Sequence, residues 1–393
     1  MTRTFAFVIV VSIILSIYGL ANYYIFIRGL HALRPIGTIR TIYIVAFIFL
    51  AASFIAAMFL ERADIISLGK PLSWIGSFWL GAFVYFLLIV AAIDLLRLFN
   101  YFFHFFPAFI TSDPARAAKV TALSVISLVT LVVIYGFVNA HIIRVRTFNI
   151  NIHKEAGGRK SLNIVMASDI HLSSIINNGR ITAIVNKINS LSPDIVLLPG
   201  DILDGDLNPV VRQNLGEALR QIKAPLGVYA ITGNHEYIGG VEKACNYITA
   251  HGVKMLRDST VFIDSSFYIV GREDRSAHKR KTLAELMQGV DKKYPVILMD
   301  HQPFHLEESE ENGIDLQLSG HTHYGQMWPF NYITRMVYEL AYGYLVKGNT
   351  HIYVSAGVGT WGPPIRVVAD PEIANFRLRF NDQVRQAASA QKH

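Results

Sequence analysis

The 393-residue sequence predicts an α/β domain preceded by about four transmembrane helices. Three observations lead there. Four uncharged stretches of at least 20 residues fill most of the first 143 positions. Beyond Leu162, short β-rich runs alternate with helical ones, the order expected of an α/β domain. Five of those β runs end in Asp, Asn or His. In open α/β sheets the C-terminal strand ends line the ligand crevice.

The apolar stretches are Thr4–Ile27, Thr41–Leu60, Pro71–Ile93 and Val120–Ile143. A helix needs about 20 residues to cross ~30 Å of hydrocarbon, and continuous runs of that length are not amphipathic core helices. Arg28, Arg34 and Arg40 follow the first stretch, and Trp74 and Tyr101 lie near the third. Such residues anchor helices at the membrane–water boundary. A cleaved signal peptide is the alternative for the first stretch, with Arg3 at its start and Gly19-Leu20-Ala21 as the cleavage site. Apolar residues continuing to Ile27 count against it. Either way the C-terminal domain ends on the same side. That side carries Arg3, Arg62, Lys70, Arg144, Arg146, Lys154, Arg159 and Lys160, against Arg28, Arg34, Arg40, Arg97, Arg116 and Lys119 on the other. The positive-inside rule then puts the domain in the cytoplasm. Asp94 and Arg97, three residues apart, are expected to pair on one helix face.

Composition narrows the classes further. The chain is 52% hydrophobic and 17% charged, against about 25% charged in a typical soluble protein. The net charge is +7. Residues 1–143 hold nine Lys/Arg and four Asp/Glu, and residues 144–393 hold 27 and 25. A nucleic-acid binder concentrates basic charge on its soluble domain, so nucleic acid is not an expected partner. Cys245 stands alone, which excludes a disulfide framework and a Cys-based metal site within one chain. It reads as a buried, inert thiol.

Residues 144–160 are polar, contain Gly157-Gly158 and read as a linker. The domain proper is expected over 161–381. Its strands are Asn163–Ala167, Ile195–Pro199, Val228–Thr232, Phe267–Val270, Val296–Met299, Leu316–Leu318, Ile352–Ser355 and Ile373–Phe380, the last with Arg377 and Arg379 facing out. Helices are expected at Arg180–Leu191 and Pro209–Gln221, and residues 382–393 form a polar tail.

The strand ends carry the chemistry. They read Ser168-Asp169-Ile170-His171, Gly200-Asp201-Ile202-Leu203-Asp204, Gly233-Asn234-His235-Glu236, Asp300-His301 and Gly320-His321-Thr322-His323. Two Asp, an Asn oxygen and several imidazoles make a mixed N/O donor set. Such a set suits Mn, Fe, Zn, Co or Ni rather than Mg. The donors are too many for one ion and about right for two divalent metal ions, whose spacing of ~3.5–4 Å needs a bridging carboxylate. His104, His141, His251, His305 and His351 read as ordinary structural histidines.

This ordered set resembles the calcineurin-like metallophosphoesterase superfamily, whose blocks are D-x-H, G-D-x-x-D, G-N-H-[DE], a lone His and G-H-x-H. The resemblance implies a two-sheet sandwich flanked by helices over about 161–381, with a dinuclear metal centre. Carried over by position, one metal takes Asp169, His171, Asp201 and His323, and the other takes Asp201, Asn234, His301 and His321. His235 becomes the catalytic histidine, with Glu236 and Asp204 orienting it. A hydroxide held between the two metals then attacks a phosphoester. The superfamily's protein phosphatases continue the second block with Arg, where this chain has Gly205. Gly357–Val367 resembles the closing segment of a bacterial, often membrane-associated subgroup, and its Arg366 is a candidate phosphate contact, with a structural ion pair as the alternative.

Two stretches remain. Trp328, Phe330, Tyr332, Tyr338, Tyr342 and Tyr344, with Met327, Met336 and Leu340, read either as an apolar cap that admits a lipid tail or as a packed insertion. Arg272, Arg275, Lys279, Arg280 and Lys281 form a basic loop, either solvated or drawn to anionic headgroups. The expected partners are a bilayer and a phosphorylated lipid or small molecule, with a soluble nucleotide-type phosphodiester as the alternative substrate. A non-catalytic metal-binding scaffold ranks lower because His235 and all seven presumed ligands are present.

Overall fold

The computed structural model describes residues 3–33, 37–63 and 65–380. The expected tail over 382–393 and Arg34 lie outside the described residues. The chain forms two compact units, residues 1–137 with 362–364 and residues 138–361 with 365–393.

Among the described residues, four helices are long and apolar enough to cross a membrane: α1 (Arg3–Ala32), α2 (Gly37–Arg62), α3 (Ile66–Phe103) and α4 (Pro114–His141). Leu20, Ile42, Phe59 and Leu131 on their surfaces are exposed. Water would penalise each exposed apolar Å² by about 25 cal/mol, whereas lipid would not. Between α1, α2 and α3 pack Ile25, Phe47 and Trp79, and Trp79 Nε1 donates to Asn22 Oδ1 at 3.2 Å. The expected Arg97–Asp94 pair is present at 3.2 Å. Arg28 of α1 adds a second pair to the same carboxylate at 2.7 Å, a partner too distant in sequence to foresee.

The second unit is a sandwich of two six-stranded sheets. One has the order β1-β12-β2-β3-β4-β5, comprising Arg144–Ile152, Glu372–Phe380, Ser161–Met166, Ile195–Pro199, Val228–Ile231 and Lys254–Met255. The other has the order β10-β11-β9-β8-β7-β6, comprising Gly343–Lys347, Thr350–Val354, Leu316–Ser319, Val296–Met299, Phe267–Gly271 and Ser259–Ile263. Strand side chains alternate between faces. Ile164, Leu197 and Ile231 therefore meet Ile269, Ile297 and Leu318 inside the sandwich. Val165, Val196 and Leu198 face outward onto α5 (Asn178–Asn189). That helix buries Ile181, Ile184, Val185 and Ile188, the i, i+3, i+4, i+7 stripe of a core-facing helix. Asn177 caps it, its Oδ1 accepting from Gly179 N and Arg180 N.

Two expectations need correction. Residues 144–152 are not a linker. They form β1, parallel to β12 from Arg144↔Glu372 to Ile152↔Phe380. Ile150 and Ile152 are buried while Thr147, Asn149 and Asn151 face solvent. In sequence, the polar face of a half-buried strand resembles connecting chain. The helix expected over Pro209–Gln221 is broken into Asn208–Arg212 and a 3₁₀ segment, Leu215–Gln221. Asn214, between them, has φ 50°, a left-handed conformation that interrupts helical hydrogen bonding.

Candidate metal centre

Strands β2, β3 and β4 run parallel, as do β8 and β9. Their C-terminal ends therefore present the five polar blocks together. Asp169 and His171 follow β2, Asp201 and Asp204 follow β3, and Asn234, His235 and Glu236 open α6 (Asn234–Gly239) after β4. His301 follows β8, and His321 and His323 follow β9.

The seven expected ligands fall into two adjoining groups. Asp169, His171 and His323 have ligand atoms within 4.8 Å of one another, and so do Asp201, His301 and His321. His171 Nε2 and His323 Nε2 are 2.9 Å apart, and Asp169 Oδ1 is 3.6 Å from His323 Nε2. In the second group, Asp201 Oδ2 is 3.1 Å from His301 Nε2. Asn234 Oδ1 lies 2.8 Å from His321 Nδ1 and 3.3 Å from His301 Nε2. Asp201 Oδ2 is also 3.9 Å from His171 Nε2, so one oxygen faces both groups.

The backbone is strained to hold them. Asp169, His171, Asp201, His321 and His323 all have φ between 46° and 73°. Non-glycine residues rarely adopt this region, and it concentrates at functional sites. Close approach explains the motif glycines. A Cβ on Gly233 would lie 2.1 Å from Asp201 Oδ1, and one on Gly320 2.2 Å from Asp169 Oδ2.

Burial lowers the His321 pKa to about 4, and the neighbouring His301 adds to this. His323 is lowered by burial and then by His171 and Arg366. Both imidazoles are thus neutral, the form that ligates a metal. Burial opposes charge on His301 too, but Asp201 and Asp169 outweigh it and raise its pKa. Divalent cations fit this donor set. The buried Asp169 Oδ2 has no hydrogen-bond partner, and two ring nitrogens face each other across the first group.

The surrounding residues take clear positions. Asp204 Oδ1 is hydrogen-bonded to His171 Nδ1 at 3.2 Å and so orients that ring, while His235 Nδ1 lies 3.2 Å from the same oxygen without a hydrogen-bond partner. Glu236 is fully buried. Its carboxylate accepts from Asp201 N at 3.1 Å, Gly233 N at 2.7 Å and Leu203 N at 2.9 Å. It therefore ties the loops after β3 and β4 together. Arg366 has no solvent exposure and no ion pair among the described residues. It donates to Gly359 O, Ala356 O and, at 3.1 Å, His323 Nδ1. Both expectations for Arg366 need correction, because it is fully buried, pairs with no carboxylate among the described residues and braces His323, a presumed ligand, from behind. Sequence reasoning missed Arg180, which donates to Ala140 O at 2.7 Å and Val358 O at 3.0 Å, and Gln326, which brackets Trp361 through N–H and C=O at 3.0 Å each. No motif announces such backbone-directed contacts.

A sandwich with this double cluster at its strand ends defines the metal-dependent phosphoesterase class. The calcineurin-like phosphoesterase family model matches residues 162–325. An uncharacterized metallophosphoesterase of Aquifex aeolicus is 31% identical over 253 residues, covering 62% of this chain and 95% of that protein. The chain belongs to the calcineurin-like phosphoesterase family. An uncharacterized metallophosphoesterase of Helicobacter pylori is 34% identical over 230 residues, covering 57% of this chain and 61% of its own length. A transmembrane protein with metallophosphoesterase domain from Danio rerio is 30% identical over 263 residues, covering 63% of this chain and 60% of its own. The chain thus spans less than two thirds of the length of those last two relatives.

Proposed function

We propose that this chain is a membrane-anchored phosphohydrolase with a two-metal centre. The observation that carries the reading is Asp201 Oδ2, which faces His301 at 3.1 Å and His171 at 3.9 Å. Asp169, His171, Asp201 and His323 would hold one cation, and Asp201, Asn234, His301 and His321 the other. When bound, two divalent cations supply Lewis acidity at the phosphoryl oxygens and an acidified water as nucleophile. His235 Nδ1 lies 3.2 Å from Asp204 Oδ1, a carboxylate whose charge favours the imidazolium that would protonate the leaving oxygen. Gly205, at φ 91°, stands where the protein phosphatases carry Arg, which favours non-protein substrates.

A lipid-linked phosphoester suits the rim of this site. The aromatic stretch after His323 divides in two. Met327 is buried, and Tyr342 donates to Glu372 at 2.9 Å. In α7 (Phe330–Val337), Tyr332, Ile333, Val337 and the 86% exposed Met336 are open to solvent, as is Trp328 just before it. Trp361, also exposed, stands edge-on to His235 with ring centroids 6.1 Å apart. Apolar groups clustered beside a catalytic site mark a lipid or ligand contact.

Purified protein is expected to retain two Mn²⁺ per chain by elemental analysis and to hydrolyse p-nitrophenyl phosphate. Asp201→Asn is expected to lower kcat by roughly a thousandfold or more, the scale set by losing a principal stabiliser of transition-state charge. A wild type that takes up no metal rejects the proposal. A panel of phospholipid, nucleotide and sugar-phosphate substrates separates the lipid reading from a soluble phosphodiester.

A further inference from the structure

Beside the metal centre lies a cavity of about 250 Å³ lined by Arg272, Arg275, Arg280, Phe304, His305 and Glu308. Two of the three guanidinium groups are fixed from behind. Arg272 is more than nine-tenths buried, and its Nη1 pairs with Asp300 Oδ2 at 3.0 Å and Glu308 Oε2 at 2.9 Å. Arg280 pairs with the other oxygen of Asp300. Arg275 has no carboxylate partner among the described residues. Its guanidinium is exposed and lies over the Phe304 ring, 4.5 Å from the centroid. A guanidinium stacked on an aromatic face keeps its donors free and loses little entropy when it binds an oxyanion.

The cavity is built onto the catalytic loop. His301 and Phe304 belong to the single loop that follows β8. Phe304 packs on Tyr338 with centroids 4.7 Å apart, and Tyr338 faces the ligand His321 at 6.0 Å. Three ring contacts therefore link a metal ligand to Arg275. The neighbouring Asp274 is occupied by Gln302 Nε2 at 2.9 Å and Ser276 N at 2.8 Å.

We propose that the Arg272–Arg275–Arg280 cavity seats a second phosphate-type anion of the substrate whose phosphoester meets the metal centre. The preferred substrate then carries two anionic groups, one cleaved and one held by Arg275. This inference rests on the phosphohydrolase reading for its catalytic arm only. Arginine forks recognise phosphate oxygens in this way because two parallel N–H···O bonds match their geometry. The anion belongs either to a soluble sugar phosphate or to a phosphorylated lipid headgroup.

The test compares kcat/KM for glucose 1,6-bisphosphate with glucose 6-phosphate, and for phosphatidylinositol 4-phosphate with phosphatidylinositol in mixed micelles. At least one pair is expected to favour the doubly anionic member by about tenfold, the worth of one charge-assisted hydrogen bond, and the pair that does so identifies the source. In Arg275→Gln that ratio is expected to fall near one, while Lys279→Gln, outside the cavity, keeps it. Ratios near one for both pairs in the wild type, or a ratio that survives Arg275→Gln, overturn the inference. Calorimetric binding of the same ligands to Asp201→Asn protein runs in parallel. There too, loss of the doubly anionic preference in an added Arg275→Gln supports the inference, and its persistence or absence throughout overturns it. A wild type without hydrolysis but with this binding preference rejects the phosphohydrolase reading alone.

Discussion

At the residue scale, the centre depends on atoms that are missing as much as on those present. Gly233 lets the loop after β4 approach until Asp201 Oδ1 accepts from His235 N at 2.9 Å. A methyl group there would lie 2.1 Å from that carboxylate oxygen and 2.6 Å from Asp201 N, closer than packed atoms tolerate. Gly233→Ala is therefore expected to push Asp201 off both ligand groups without disturbing the sandwich core, from which Gly233 is absent. Metal affinity should fall by about 10–100-fold, the scale seen when support of a ligand is lost. Titration with Mn²⁺ followed by elemental analysis reads the loss, and an unchanged far-UV spectrum shows that the fold is kept. Wild-type metal retention would count against a shared Asp201. Cys245 behaves as the sequence implied. It is buried, and burial pushes its thiol up to about 12, so it stays protonated and inert near neutral pH.

At the element scale, β1 carries a larger share of the domain than its polar sequence suggests. It is parallel to β12 over its whole length and buries Ile150 and Ile152 in the sandwich core. Each such side chain is worth about 1.5–3 kcal/mol. Arg146 also reaches the fully buried Glu372 at 3.5 Å, a carboxylate that deletion would leave without its cation. Against a typical total stability of about 5–15 kcal/mol, the loss is severe. A protein starting at Ile143 is expected to unfold cooperatively on heating. One starting at Ser161 is expected to show no cooperative transition or a much lower Tm, and equal Tm values would contradict this role. The same scale shows what could be read in advance. Eight strands were legible because their apolar runs are short, continuous and punctuated by polar blocks. β1, β5, β6 and β10 were not, because half-exposed strands interleave polar residues that resemble loops. The seven presumed ligands were legible because strand ends carry them. The roles of Glu236 and Arg366 were not, because both act on backbone or on another ligand, and spacing alone carries no signal for that.

At the scale of the whole molecule, the uneven charge gains a physical location. Arg144 pairs with Asp370, Arg146 with Glu372, Lys154 with Asp315 and Arg159 with Asp264. The near-neutral domain is therefore internally matched, and its net charge by itself gives a phosphate little attraction. Membrane insertion precedes this pairing and responds to Lys and Arg near the helix ends, with little effect of Asp and Glu. By that count, eight positive residues on the side of the termini against six on the other favour a cytoplasmic catalytic domain. Only Ile142 and Ile143 separate α4 from β1, so the domain must fold on whichever side α4 emerges. A green fluorescent protein fused after His393 is expected to fluoresce, and alkaline phosphatase at the same position to remain inactive. The margin of two charges also predicts fragility. Replacing Arg62 and Lys70 by Gln equalises the count, and a mixture of both reporter signals should follow. A strongly active phosphatase fusion in the unmodified protein would instead place the catalytic domain outside and direct the substrate search to envelope phosphoesters.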